Sequence, residues 1–188
     1  MNRLLAIACL AFSFCFSATA QNRKAGLPPE LPGVQNDVQN TDVQNNVQVE
    51  IDANGSGPHE MQEVTRQSIA RAYANAWGTL TRSMPGNRAD MIDEAFLGAA
   101  RDQFAAAIQQ QSLQKLSRRY VDHGHKIKVL SYSPEGGSVQ ILDRADMEVQ
   151  FLDGDSVIYS ERQKFSYVAL LSPTEVTWKV RLLQAVPE

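Results

Sequence analysis

Apolar residues recur every three or four positions through the middle of the chain and every second position through its C-terminal third. Met61, Val64, Ile69, Tyr73, Ala76, Trp77, Leu80 and Met84 fall on one helical face. Pro58 suits a first helical turn, and Met84-Pro85-Gly86 supplies a stop. Asn87, with Asp90 three residues on, offers an N-cap for a second helix through Met91, Ile92, Ala95 and Phe96, with a break near Gly98. Phe104, Ile108, Leu113, Leu116 and Tyr120 predict a third helix, ending by Gly124.

The period then changes to two. Lys126 to Tyr132 reads as a first strand, and Pro134-Glu135-Gly136-Gly137 as a turn. Val139, Ile141, Ala145, Met147, Val149 and Phe151 alternate with mostly polar neighbours along a long second strand. Asp153-Gly154-Asp155 marks a hairpin, because glycine accepts the positive φ that tight turns need. Val157 to Leu171 forms a third strand. After Ser172-Pro173-Thr174, Val176, Trp178, Val180 and Leu182 alternate along a fourth. Helices first and a four-stranded antiparallel meander second is an α+β order.

Residues 1–58 follow different rules. Met1 to Ala20 carries a basic start at Arg3, an apolar run from Leu4 to Phe16, and small residues at Ala18 and Ala20. That is the pattern of a signal peptide cleaved after Ala20, and the run is short of a membrane span. Cys9 and Cys15 are the only cysteines and leave with it, so the exported chain has no disulfide and no thiolate chemistry. Residues 21–58 contain Pro28-Pro29, Pro32 and a Val-Gln-Asn repeat beginning at Val34, Val38 and Val43, with no aromatic residue. Such a stretch buries too little to offset its ordering entropy and reads as a disordered tether, with a docked strand as the alternative. A single domain, residues 59–188, follows.

Composition narrows the function without choosing it. Lys and Arg total 18 against 21 Asp and Glu, a net charge of −3, so nothing draws the chain globally to nucleic acid or anionic lipid. The sequence holds no G-x-S-x-G elbow, P-loop, dinucleotide-binding glycine pattern or H-E-x-x-H pair.

The closing Thr177-Trp178-Lys179-Val180-Arg181-Leu182, with Tyr73 and Trp77 on the opening helix, resembles the nuclear transport factor 2-like superfamily. The resemblance covers His59 to Glu188. It implies a cone in which three helices pack into a bent antiparallel sheet. That superfamily includes isomerases, dehydratases and hydrolases beside non-catalytic binding domains. Among the latter the chain resembles extracytoplasmic secretion-system domains and the intermembrane domains of plastid-division proteins. Fold alone therefore leaves function open.

Three clusters are chemical candidates. Asp122, His123 and His125 have metal-ligand types, but a helix end at Gly124 splays them and no third partner stands at a recognisable spacing, so no metal and no cofactor is expected. Lys115, Arg118, Arg119, Lys126 and Lys128 make that region basic, which suits an anionic partner or simply a helix C-terminus and a protected edge. Asp143 shares the apolar parity of the second strand, and Glu161 and Gln163 that of the third, beside Tyr159 and Tyr167. Carboxylates in an apolar hollow are suited to acid–base chemistry, with Tyr159, Tyr167 and Tyr120 as nearby donors. A bulge or a register shift would instead turn them outward.

The expectation is an exported, periplasmic or secreted, non-catalytic module for a small apolar ligand or an envelope protein. The alternatives are a small isomerase, dehydratase or hydrolase and a structural part of a secretion assembly. No nucleic acid and no membrane span after cleavage are expected, and a homodimer through the sheet is a further option.

Overall fold

The order of elements follows from where each local pattern can bury its apolar side. The computed structural model describes residues 47–54, 60–135 and 137–187. All belong to the unit spanning residues 42–188. The expected signal peptide, and the expected tether apart from residues 47–54, lie outside the described residues.

Helix α1, Glu63–Ser83, buries Ile69, Tyr73, Ala76, Trp77 and Leu80 as its spacing predicts. Each large side chain so removed from water contributes roughly 1.5–3 kcal/mol. Val64, in the first turn, is exposed. Instead of a second α-helix, Ala89–Glu94 forms a 3-10 helix with only Ile92 buried. Asn87 has a φ of 53° and Asp90 binds Arg88 rather than capping the helix, so the capping signal is spent elsewhere.

Helix α2 runs Gly98–Leu113 and stops well before Gly124. Lys115 turns the chain at φ 57°, and the Leu116 amide closes on the Gln111 carbonyl. Gln111 itself is buried and donates to the Met84 carbonyl at 2.6 Å, satisfying a backbone acceptor at the end of α1.

From Ser117 onward the chain is strand. Strand β2 is Ser117–Ser133, β3 is Ser138–Asp153, β4 is Ser156–Pro173 and β5 is Trp178–Val186. These pair antiparallel in sequence order. The β3–β4 turn is two residues long, with Gly154 at φ 58°. A fifth strand, β1, Val49–Asp52, lies parallel to β2 from Val49 opposite His125 to Asp52 opposite Lys128. The sheet is therefore five-stranded and mixed, not the expected four-stranded antiparallel meander. At Val49–Asp52 the expected tether is part of it: Val47, Val49 and Ile51 pack on the core while Glu50 and Asp52 are exposed.

Both helices pack near the β5 end. The Leu97 amide donates to the Val180 carbonyl and the Val180 amide to the Ala95 carbonyl, tying the helix layer to the last strand. Trp178, on the apolar alternation of the last strand, is half-buried at this margin. Lengths then decide coverage. A helix of 21 residues, such as α1, spans about 30 Å, whereas a strand of 18, such as β4, reaches roughly 60 Å. The inner face of the sheet is accordingly buried at one end, at Val139, Ile141, Ala169 and Leu171, and open at the other, at Tyr159 and Glu161. Among the described residues no helix is long and apolar enough to cross a membrane.

Candidate functional site

Strand β2 carries an irregularity that assembles the densest polar cluster in the core. Asp122 faces Met147 of β3, but it is Gly124, not His123, that faces Asp146. The extra residue is a β-bulge, and it places Asp122 and His125, three positions apart, on the same inner face. Gly124 permits it with a φ of 130°, a region closed to side chains, and its amide donates to Asp122 Oδ1 at 2.7 Å.

His125 then reaches Asp143, which points inward from β3. His125 Nδ1 lies 2.8 Å from Asp143 Oδ2, and the Tyr73 hydroxyl of α1 donates to the same oxygen at 2.8 Å. On its other side His125 Nε2 stands 3.4 Å from Asp122 Oδ2, an ion-pair distance. The side chains of His125 and Asp143 are fully buried.

Aromatic rings enclose the cluster. The Trp77 ring centroid is 4.9 Å from that of His125 at an interplanar angle of 31°, and Tyr73 meets His125 edge-on at 5.9 Å. Tyr120 and Tyr167 close on Trp77 at 6.2 and 5.4 Å. Burial disfavours the imidazolium, but the carboxylates of Asp122 and Asp143 outweigh it and push the His125 pKa up to about 9. Burial, and next the charge of Asp143, raise the Tyr73 phenol well above its ordinary value. Burial likewise raises Tyr120 and Tyr167. At neutral pH His125 is an imidazolium, its ring tilted over the Trp77 indole.

The sequence placed Asp143, Glu161, Gln163, Tyr159, Tyr167 and Tyr120 around one hollow. The inward parity holds for all six, but they divide. Asp143, Tyr120 and Tyr167 belong to the aromatic cluster. Glu161 lies opposite Val149, six residues along β3 from Asp143, or roughly 20 Å away. It is exposed and accepts the Tyr159 hydroxyl at 2.7 Å, and Gln163 is half-buried between the two groups. Asp143 and Glu161 therefore cannot act as a pair.

His123 and His125 stand in a strand rather than at a helix end, and only His123 is exposed. Among the described residues no group of three His, Cys, Asp or Glu is arranged to hold a metal ion. Tyr73, Asp122 and His125 were not linked to Asp143 from sequence. The Asp122-x-Gly124-His125 spacing was the available signal, since glycine in a strand marks a bulge.

A general base must reach the proton it takes. Here Tyr73, His125 and Asp143 are sealed from solvent and bonded to one another. The arrangement ties α1 to β2 and β3 as a polar network inside the core, with Asp143 Oδ1 and the Trp77 indole nitrogen left without a hydrogen-bond partner among the described residues. The far half of the sheet, by contrast, leaves apolar side chains exposed. Residues Ser156–Phe165 of β4 pair with β3 on one side and with no other described strand, because β5 pairs only from Ser166 to Pro173. Val157, Ile158 and Tyr159 are 46%, 58% and 37% exposed there. Beside them Phe151 packs on Tyr159 at 6.0 Å and carries the Arg118 guanidinium 5.3 Å above its ring.

The chain matches no protein-family model and no curated protein. It is similar in structure to the intermembrane space region of chloroplast protein ARC6, with a TM-score of 0.57 at 12% identity over 69% of this chain and 100% of that one. It also aligns with Aln2 from a Streptomyces species, with a TM-score of 0.45 at 12% identity over 68% and 93% of the two chains. At that identity the first likeness describes the fold alone.

Proposed function

We propose that this chain is an exported, non-catalytic binding module. In this reading its domain is a cone of the nuclear transport factor 2-like kind, and it captures an extended segment of an envelope protein. The observation that carries the reading is the stretch of β4 before Ser166, which among the described strands pairs with β3 alone and exposes Val157 and Ile158. A strand without a neighbour presents backbone donors and acceptors that an extended peptide can complete. The adjoining inner face supplies aromatic ground for its alternate side chains, with Phe151 and Tyr159 at the centre.

The partner is thus a segment of extended backbone with apolar residues at every second position. A small apolar ligand is less well served. The inner space that would hold it is occupied by Tyr73, Trp77, Tyr120, Tyr167 and His125. Export rests on the Met1–Ala20 pattern of a cleavable signal peptide.

The test is selection of extended peptides from a random display library on the full chain, followed by affinity measurement on Ile158→Lys. The substituted residue is exposed, so the fold is expected to survive. Selected peptides should bind the variant roughly tenfold more weakly, the loss of one apolar contact and one open edge position. Equal affinity for both proteins would refute the edge as the docking site.

A further inference from the structure

The outer face of the sheet holds a second feature, independent of the β4 edge. Gly124, Lys126, Arg144, Asp146 and Lys164 line a depression of about 640 Å³ beside β1. The register explains its charge. Lys126 lies directly opposite Arg144, and Lys164 directly opposite Asp146, so three cations share adjacent places on one face.

Like charges directly opposite each other across strands oppose pairing. The nearby carboxylates relieve this only in part. Asp146 is already held by Nε and Nη2 of Arg162 at 2.9 Å, and Glu148 accepts Ser160 and Gln150. Glu50, opposite Lys126 on β1, stands at the rim. Among the described residues no carboxylate forms an ion pair with Lys126 or Arg144. The floor is bare as well: a side chain at Gly124 would meet no atom within 4 Å, so the bulge leaves open space on this face beside Lys126, with Asp146 directly opposite.

We infer that this depression is a binding site for an oxyanion of the phosphate class, held by Arg144, Lys126 and Lys164 over the Gly124 bulge. A planar guanidinium takes two oxygens of such a group while two ammonium groups supply point charges, and the ligand offsets the Lys126–Arg144 repulsion. The phosphate can belong to a free anion or to a lipid headgroup, which share this chemistry.

The test is a nuclear magnetic resonance titration of the full chain with inorganic phosphate at constant ionic strength. Saturable shifts are expected at the Gly124, Lys126, Arg144 and Lys164 amides. Arg144→Gln should weaken binding roughly tenfold or more, because it removes a charge-assisted pair. Arg88→Gln, in an exposed pair elsewhere, should leave it unchanged.

Arg144→Gln should also melt no lower than the parent, since it removes a repulsion. Co-sedimentation with phosphatidic acid vesicles but not phosphatidylcholine vesicles, lost in Arg144→Gln, assigns the phosphate to a headgroup. Phosphate binding without vesicle binding assigns it to a free anion. Shifts that do not saturate, that spread equally to Arg66, Arg88 and Arg101, or that persist in Arg144→Gln would overturn the site.

Discussion

Raising the pH from 6 to 9.5 should remove a measurable part of the stability of this domain, and His125 should be the reason. The imidazole is fully buried between Asp122 and Asp143, and its pKa in the folded chain is about 9 against an ordinary 6.5. A raised folded pKa means that the folded chain holds the proton more tightly than the unfolded one. The corresponding stability is fully present below pH 6.5 and is lost as pH rises through 9. At about 1.36 kcal/mol for each pH unit, the interval from 6.5 to about 9 is worth about 3 kcal/mol. That is a large share of the roughly 5–15 kcal/mol typical of a folded domain.

Urea denaturation at fixed ionic strength, repeated between pH 6 and 9.5, reads the effect as a fall in the transition midpoint. The upper limit keeps Tyr73 and Tyr167 out of the measurement. Their raised folded pKa values remove stability only above the ordinary tyrosine value near 10. His125→Gln should flatten most of the profile. A parent midpoint that stays constant across the window, or a His125 that titrates near 6.5, would refute the reasoning.

Three further outcomes follow from the same geometry. Tyr73→Phe should cost about 1–3 kcal/mol by chemical denaturation, because it removes a donor to a buried carboxylate without changing shape much. Gly124→Ala should cost about 1–3 kcal/mol with no steric clash, since a backbone at φ 130° is closed to alanine while the space around it is open. A neutral effect would mean that the bulge relaxes. Trp77→Ala should cost about 3–5 kcal/mol in thermal melts, and Trp178→Ala distinctly less, because only Trp77 is fully surrounded.

The sequence disclosed parity better than extent. Alternation placed Ile141, Asp143, Ala145, Glu161 and Gln163 on the inner side correctly, since a strand's period of two leaves little choice once one face is apolar. It could not show how far the helices reach along that face, so Glu161 was expected beside Asp143 and stands exposed instead. Helical spacing gave α1 but overran α2. Residues Leu116 and Tyr120 continue a three-to-four spacing, yet from Ser117 the backbone is committed to β3.

The bulge hid β2 in the same region. Tyr120 and Asp122 have one parity and His125, Ile127 and Val129 the other, so a period-two reading begins only after Gly124. Strand β1 is four residues long and sits among polar repeats. Its Val49-Glu50-Ile51-Asp52 alternation gains meaning only from pairing with residues more than seventy positions away.

The most direct measurement of the docking account is amide hydrogen exchange of the full chain with and without a peptide selected on it. The account predicts rapid exchange at the amides of Ser156–Phe165 that point away from β3 in the chain alone and slow exchange there once the peptide is bound, with the interior around His125 and Tyr73 unchanged. Unchanged exchange along β4, with new protection around His125, Tyr73 and Trp77, would contradict it and locate binding in the core of the sheet instead.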